Sequence, residues 1–246
     1  PSPEELIALR DRYMTSPVKR YSNEVVVPDQ LLETLPTVGK LLSEQPIEEI
    51  DATLLELANG LRVIYKQTDL DKNNVVLSGF RKGGYYSLDS TQYLNGTYAT
   101  PVISISGYGQ FTRDALSQYL AGSSSKAILL ADKTRTGFHA SSNAGDKEEL
   151  FQLLYLKWTQ PRIDPDLYQQ VKSSSIRSMK NETETPGAKF GRELRYLLMG
   201  ENYITRKRTP QDVEQHLDPQ AMLEAYDHFF GAAKGYTVSI LTDQPL

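Results

Sequence analysis

The chain has 246 residues, a hydrophobic fraction of 39% and a formal net charge of −4, so it is long enough for one large domain with a sizeable core. The absence of cysteine excludes thiolate catalysis, disulfide bonds and cysteine-based zinc sites. The acidic balance predicts no nucleic-acid partner, and the sequence predicts no membrane span. The chain begins at Pro1 without methionine or a signal segment, so we expect it to be a piece of a longer protein.

Residues 1–48 differ in pattern from the rest of the chain. A short helical pattern covers 4–14, and after it prolines recur at wide intervals between short apolar pieces. Because proline fixes φ and removes a backbone donor, we expect no long regular element in this region. We interpret residues 1–48 as a linker and residues 49–246 as the folded domain.

Two apolar runs, at 61–65 and 75–80, carry the first strand signals. Both are rich in Val, Ile, Leu and aromatic residues and lie between polar turn clusters. The polar connection at 68–74 favours a pair of neighbouring antiparallel strands. Three further strands are predicted at 127–131, 136–141 and 236–241.

Helix signals fill most of the remaining chain. A helix is predicted over 90–106 with a kink at Pro101, and Thr112 is predicted to cap a short helix. Asp146 is predicted to open a capping box for a helix over 150–158. Four later helices each begin with a capping side chain followed by proline at the first helical position; the capping residues are Asp164, Thr185, Thr209 and Asp218.

Apolar positions at helical spacing predict which side chains these four helices bury. They are Leu167, Val171, Met179, Phe190, Leu194, Leu197, Val213, Leu217, Leu223, Tyr226 and Phe230. Strands in local groups and helices gathered in runs indicate an α+β fold, with a mainly antiparallel sheet and helices packed on one face.

Few residues have the spacing of a chemical site. His139, His216 and His228 lack the helical spacing of a zinc-binding pair, so we interpret them as unrelated. Residues 123–126 match S-x-x-K, but the partner motifs S-D-N and K-T-G are absent, which favours a flexible serine-rich loop. The residues therefore predict no catalytic group and no metal ligand, and they leave the substrate-binding residues unknown.

Several segments resemble the insulinase/pitrilysin-type (M16) family of zinc metallopeptidases. They are the opening LANGLRVIYKQTDLDKNNVVLSGFRKGGYYSL, the segment GYGQFTRDALSQYLAG, the segment ELFQLLYLKWTQPRIDPDLYQQVK and the closing residues 204–243. The resemblance runs in the family's order from residue 57 to residue 243. Residues 1–48 resemble the connector between the halves of long bacterial members, which places this chain at the start of the C-terminal half.

The resemblance implies a clamshell enzyme whose two halves, each with two α+β domains, enclose a chamber. The active domain of the family carries H-x-x-E-H and a later glutamate ligand for zinc. Aligning Gly107 with the glycine that ends the motif helix puts Tyr98, Pro101 and Val102 where His, Glu and His stand in active members. None of these residues can serve as ligand or base, so the resemblance implies no cofactor in this segment and zinc in the N-terminal half of the parent enzyme.

We therefore expect a catalytically inactive domain of an M16 zinc metalloprotease that helps to enclose the peptide-binding chamber. The implied partners are other domains of the same polypeptide and unfolded peptide substrates, and the bacterial relatives imply a periplasmic location. The alternative is a stand-alone scaffold or protein-interaction module with the same fold. Both functions need a packed core and no ligands, so the residues leave both open.

Overall fold

The structure, a computed structural model, describes residues 2–15 and 25–246. Within these residues the chain forms seven strands: β1 (Leu41–Ile47), β2 (Ala52–Leu57), β3 (Arg62–Gln67), β4 (Asn74–Lys82), β5 (Lys126–Ala131), β6 (Arg135–Asn143) and β7 (Thr237–Thr242). They make one sheet in the order β1-β2-β3-β7-β4-β6-β5. Only the β3–β7 pair of this described sheet is parallel, so the predicted α+β fold with a mainly antiparallel sheet is confirmed.

Eight α-helices accompany the sheet in the described ranges: α1 (Pro3–Thr15), α2 (Tyr93–Ser106), α3 (Arg113–Tyr119), α4 (Lys147–Thr159), α5 (Pro165–Asn181), α6 (Pro186–Met199), α7 (Pro210–His216) and α8 (Pro219–Phe230). Helices α2, α4 and α8 supply much of the core that lies against one face of the sheet. Across residues 2–15 and 25–246, no helix combines the length and apolar character that a bilayer crossing requires.

The centre of the sheet differs from the sequence-based prediction. Strands β3 and β4 correspond to the two predicted apolar runs, but β7 lies between them, parallel to β3 and antiparallel to β4. The prediction that these two runs are direct neighbours is therefore wrong. The last strand of the chain completes the centre of the sheet, a long-range pairing that the local pattern around residues 68–74 does not encode.

The helix start signals are mostly confirmed. Side-chain caps are present at Thr112, Asp164, Thr185, Thr209 and Asp218. Thr209 and Asp212 form a complete capping box. Asp146 directly precedes α4, as its start signal predicts, but the predicted capping box is wrong: in the described structure Asp146 makes no side-chain cap bond, and its carboxylate accepts instead from the backbone and hydroxyl of Ser124, at 2.9 and 2.6 Å.

The aromatic part of the core is organised around Trp158 near the end of α4. Its ring makes edge contacts with Phe138, Phe230 and Tyr236, at centroid distances of 5.3, 6.0 and 4.8 Å. Such edge-to-face pairs add to the free energy of burying the rings. The contacts join β6, the residue directly before β7, α4 and α8, so the helix layer is fixed against the central strands.

Part of the predicted linker belongs to the folded body. Helix α1 confirms the helical pattern at 4–14, β1 pairs with β2, and Leu31 and Leu32 are 2% and 6% exposed. The expectation of no long regular element in 1–48 is therefore wrong, because an edge strand such as β1 tolerates Pro46. Residues 1 and 16–24 of the predicted linker lie outside the described residues. The division at residue 48 stays a prediction.

The predicted buried positions of the late helices are confirmed only in part: Val213, Leu217, Tyr226 and Phe230 are buried, whereas Leu167, Val171, Met179 and Leu223 are partly buried. Tyr226 and Phe230 are fully buried, whereas Phe190, Leu194 and Leu197 of α6 are 70%, 41% and 82% exposed. The prediction that α6 buries these side chains is wrong. The helix is amphipathic as its sequence indicates, but its apolar side faces outward.

Candidate functional site: the open face of the sheet

One face of the sheet is covered by helices and the other carries exposed apolar side chains. On β4, Val75 and Leu77 are buried, whereas Val76 and Phe80 are exposed. Because successive strand residues point to opposite faces, Val76 and Phe80 lie away from the core. We call the exposed apolar set on this side the open face; its members are Val76, Phe80, Ile128, Leu130 and Leu241.

The register of the strands aligns these residues in rows across the sheet. Val76 lies opposite Leu241, and Phe80 lies opposite Gly137, which in turn pairs with Leu130. Gly137 has no side chain and separates Phe80 from Leu130, and an added Cβ there would lie 2.5 Å from the Gly79 carbonyl oxygen. An exposed sheet face with apolar side chains can contact the side chains of an extended peptide.

A polar row crosses the open face between the apolar residues. Ser78 pairs with His139 on one side and Ser239 on the other. The Ser78 Oγ lies 3.1 Å from His139 Nδ1, and the Ser239 hydroxyl donates to the Ser78 carbonyl at 3.2 Å. A nucleophilic serine site also needs a group that orients the imidazole, and His139 contacts no carboxylate within the described structure. The row therefore offers hydrogen bonds rather than a catalytic triad.

Helix α2 holds the three residues that the sequence-based alignment of Gly107 places at the family's zinc motif. Tyr98 is half-buried, Pro101 is exposed within the helix, and Val102 is 0% exposed in the core. Val102 and Pro101 have no side-chain ligand atom, so these positions do not fit a zinc ion. Among residues 2–15 and 25–246, no group of three or more His, Cys, Asp or Glu side chains could hold a metal ion.

The three histidines lie on different elements. His139 is on β6 beside Ser78, and the Nε2 of His228 on α8 lies 3.0 Å from the hydroxyl of Ser87. His216 ends α7, where its carbonyl accepts a hydrogen bond from the Asn95 amide at 3.0 Å. The structure does not bring these histidines together.

The serine-rich loop that matches S-x-x-K has a structural role. The hydroxyl of Ser123 donates to Glu149, and that of Ser125 donates to the Asp146 carbonyl at 3.3 Å. The hydroxyl of Ser124 bonds the Asp146 carboxylate and is the main cause of the lowered pKa of that group. All three hydroxyls tie the loop to the start of α4, which agrees with the interpretation as a loop rather than a nucleophile.

Lys157 is a largely buried cationic residue that the sequence did not point to. Its Nζ donates to the Ala127 carbonyl at 2.6 Å and lies 5.3 Å from the centre of the Tyr108 ring. Burial lowers the pKa of the Lys157 amine to about 8. The available signal was a single lysine between Leu156 and Trp158 in an apolar helix, and its contacts give it a role in joining α4 to β5.

The chain is similar in sequence to curated zinc proteases, although no family model matches it. A PQQL-like zinc protease of Arabidopsis thaliana is 23% identical over 223 residues, which are 89% of this chain and 20% of the relative. The probable zinc protease PqqL of Haemophilus influenzae is 24% identical over 217 residues, 86% of this chain and 23% of the relative. The chain thus spans about a fifth of the length of these curated relatives.

Two solved structures share the fold over the whole chain. The periplasmic protease PqqL of Escherichia coli gives a TM-score of 0.79 with 20% identity and covers 100% of this chain, which matches 27% of that protein. The ferredoxin protease FusC, solved as a variant in complex with Arabidopsis ferredoxin, gives a TM-score of 0.79 with 18% identity and the same coverage. The resemblance to insulinase/pitrilysin-type (M16) peptidases is therefore confirmed in sequence and in fold.

Proposed function

We propose that this chain is a catalytically inactive domain of a longer M16-type zinc protease and forms part of the wall of its peptide-binding chamber. The observation that supports the proposal is the open face, because within residues 2–15 and 25–246 the core helices pack on one side of the sheet and apolar side chains stay exposed on the other. A cluster of exposed apolar side chains, here interleaved with the hydrogen-bonding groups of Ser78 and His139, is a surface that a peptide can bind. A chamber wall needs such a surface and does not need titratable catalytic groups.

The chemistry of α2 supports the inactive role. In this proposal Tyr98, Pro101 and Val102 replace the zinc ligands and the catalytic base of active members. Val102 is fully buried in the core. In this proposal zinc and the H-x-x-E-H motif belong to the N-terminal half of the parent polypeptide. That half cleaves the peptide, and this chain holds it.

The open face can hold an extended peptide in two ways. Phe80 and Leu130 offer apolar contacts to alternate peptide side chains, while Ser78 and His139 offer hydrogen bonds to peptide groups. A wall of this kind raises the local concentration of substrate near the metal and excludes bulk water from it. The substrates of the proposal are therefore unfolded peptides.

We further propose a domain division, permanent partners and a cellular compartment for the chain. Residues 49–246 form the inactive domain, and residues 1–48 connect it to the preceding half, with β1 extending the sheet of the domain. The other domains of the same polypeptide are the lasting partners. The periplasm is the proposed compartment, because the related PqqL of Escherichia coli is described as a periplasmic protease.

The test uses the complete polypeptide with Phe80→Glu and Leu130→Glu combined on the open face. We expect the kcat/KM for a long fluorogenic peptide to fall by about tenfold, because two charges replace apolar contacts. The matched control is Leu70→Glu, a change at a 91% exposed residue outside the open face, which we expect to leave cleavage unchanged. Equal activity of the open-face variant and the control would overturn the wall role.

The isolated chain provides the test of inactivity. It should not cleave the same peptide, and cleavage that a chelator abolishes would contradict the proposal. The stand-alone scaffold remains the competing function. It would replace the wall if the reading frame upstream of this chain encoded no H-x-x-E-H motif.

A further inference from the structure

Helix α6 presents an apolar side to solvent. Phe190, Leu194, Leu197 and Leu198 are 70%, 41%, 82% and 73% exposed. At roughly 100° per residue, these four side chains fall on one side of the helix. We call them the α6 apolar face. Within Pro186–Met199 no residue is buried, so the helix does not contribute to the core.

The polar side of α6 faces the protein instead. Arg192 forms an ion pair with Glu184, and the hydroxyl of Tyr196 accepts a hydrogen bond from the backbone of Lys207 at 3.2 Å. A surface helix of a complete domain normally turns its apolar side inward. The reversed orientation of α6 therefore leaves an amphipathic helix whose apolar face needs a partner from outside the described structure.

The surface beside this face is positively charged. A groove between α6 and the segment 205–208 is lined by Arg195, which forms no ion pair among the described residues, and by Arg208, whose guanidinium lies 5.2 Å from the centre of the Tyr93 ring. The neighbouring Arg206 and Lys207 are neutralised by Asp212 and Glu182. The exposed guanidinium of Arg195, on the same helix as the apolar face, therefore fits a partner with carboxylates at its rim.

The size of the face indicates what kind of partner covers it. The four exposed side chains present on the order of 500 Å². A stable dimer of separate chains buries about 800 Å² on each partner, which is more than this face supplies. A smaller contact is sufficient when a covalent tether supplies a high effective concentration of the partner. The curated relatives are about five times as long as the matched region, so they contain further tethered domains.

We propose that the α6 apolar face docks another domain of the same polypeptide, one that presents an apolar surface rimmed by carboxylates. The inference rests on the part of the proposed function that places this chain in a longer protein. It does not depend on the open face or on peptide binding. Phe190 and Leu197 make the apolar contacts, and Arg195 pairs with a carboxylate of the partner domain.

Hydrogen exchange measured by mass spectrometry tests this docking in two proteins, the isolated chain and the complete polypeptide. We expect the α6 amides to exchange at least about tenfold more slowly in the complete polypeptide, because a docked helix opens less often. Equal exchange of α6 in the two proteins would overturn the proposal. Peptide cleavage is not measured, so a failed wall role and a failed docking are distinguishable.

Variants distinguish a loss of docking from a general loss of stability. Leu197→Glu combined with Leu198→Glu should leave the melting temperature of the isolated chain unchanged, since both side chains are exposed there, and should remove the extra protection in the complete polypeptide. Arg195→Glu should reduce that protection by charge repulsion. The control Val38→Glu, at a 98% exposed residue outside α6, should change neither quantity. Loss of protection in the control as well would contradict a specific surface.

Sedimentation of the isolated chain tests whether a second copy of the chain, rather than another domain, covers the α6 apolar face. We expect a monomer across the micromolar range, because the face is too small for a stable dimer. A concentration-dependent dimer that the Leu197→Glu and Leu198→Glu double variant abolishes would assign the face to a second copy of the chain and overturn the proposal.

Discussion

The guanidinium of Arg81 on β4 lies 5.0 Å from the centre of the Tyr236 ring. The same guanidinium donates to the carbonyls of His228 and Phe229, at 2.8 and 2.7 Å, where α8 ends. A cation at this position satisfies carbonyls that lack helical partners and lies at the negative end of the helix dipole. Arg81 therefore fixes the end of α8 to the centre of the sheet, next to the final strand.

Replacing Arg81 should destabilise the fold. We expect Arg81→Leu to lower the free energy of unfolding by about 2–4 kcal/mol, because it removes charge-assisted hydrogen bonds and leaves carbonyls unpaired. Arg81→Lys should recover only part of the loss, since lysine lacks the planar fork. Urea unfolding measures the difference. The control is Lys82→Leu at the exposed next residue, and an equal loss in that variant would contradict the role of Arg81.

A methyl group at Gly79 should be poorly tolerated. A Cβ at this position would lie 2.3 Å from Cε1 of Phe138, which is a buried core ring. We expect Gly79→Ala to cost about 1–3 kcal/mol of unfolding free energy, because the ring must move within a packed core. At Gly39 no described atom lies within 4 Å of the added Cβ, so Gly39→Ala is the matched control. Thermal unfolding of the two variants side by side checks the prediction.

The buried amine of Lys157 predicts a pH dependence of stability. Its pKa is about 8 in the folded state against an ordinary value of 10.5, so the charged form is disfavoured by folding. The destabilisation is fully present below pH 8 and disappears as the pH rises towards 10.5. Relative to Lys157→Met, the unmodified chain should therefore gain roughly 2 kcal/mol between about pH 8 and about pH 9.5.

Urea unfolding of both proteins over that pH range measures the gain. The range stays below about pH 10 because burial raises the pKa of Tyr226, and the ionisation of that tyrosine on unfolding would act in the opposite direction. Parallel pH profiles for the two proteins would show that the Lys157 amine is not destabilised by burial.

The isolated chain should bind no stoichiometric zinc. Tyr98, Pro101 and Val102 lack the ligand set, and His139 lies on a different element from His228. The measurement is elemental analysis after exposure to zinc and extensive dialysis. Retention of about one zinc ion per chain would contradict the prediction and point to a ligand set outside the described residues.

Local signals in the sequence were sufficient to place most of the helices. Thr209 and Asp212 are three residues apart, so the capping box they form depends on neighbours in the chain alone. The prolines after Asp164, Thr185, Thr209 and Asp218 mark helix starts for the same reason. Asp146 was the exception, because a residue distant in sequence, Ser124, competes for its carboxylate.

Local sequence signals could not predict the candidate site, which is the open face of the sheet. The run at 75–80 is apolar on both sides of the strand, so its sequence does not say whether Val75 or Val76 faces the helices. Only the packing of α2, α4 and α8 on one side of the sheet exposes Val76 and Phe80. The open face is thus a consequence of which side the helices cover.

The sequence by itself determined the α+β class, the helix starts and the absence of a zinc motif on α2, because caps, hydrophobic periodicity and residue identity act over a few positions. The tertiary structure decided that β7 separates β3 from β4 and that α6 turns its apolar side outward. The first feature depends on contacts between distant segments, such as the pairing of Leu77 with Ile240. The second depends on how α6 sits against its flanking loops, for example through the hydrogen bond from the Lys207 backbone to the Tyr196 hydroxyl. Hydrophobic periodicity specifies that a helix has an apolar side, and only the rest of the fold specifies what that side meets.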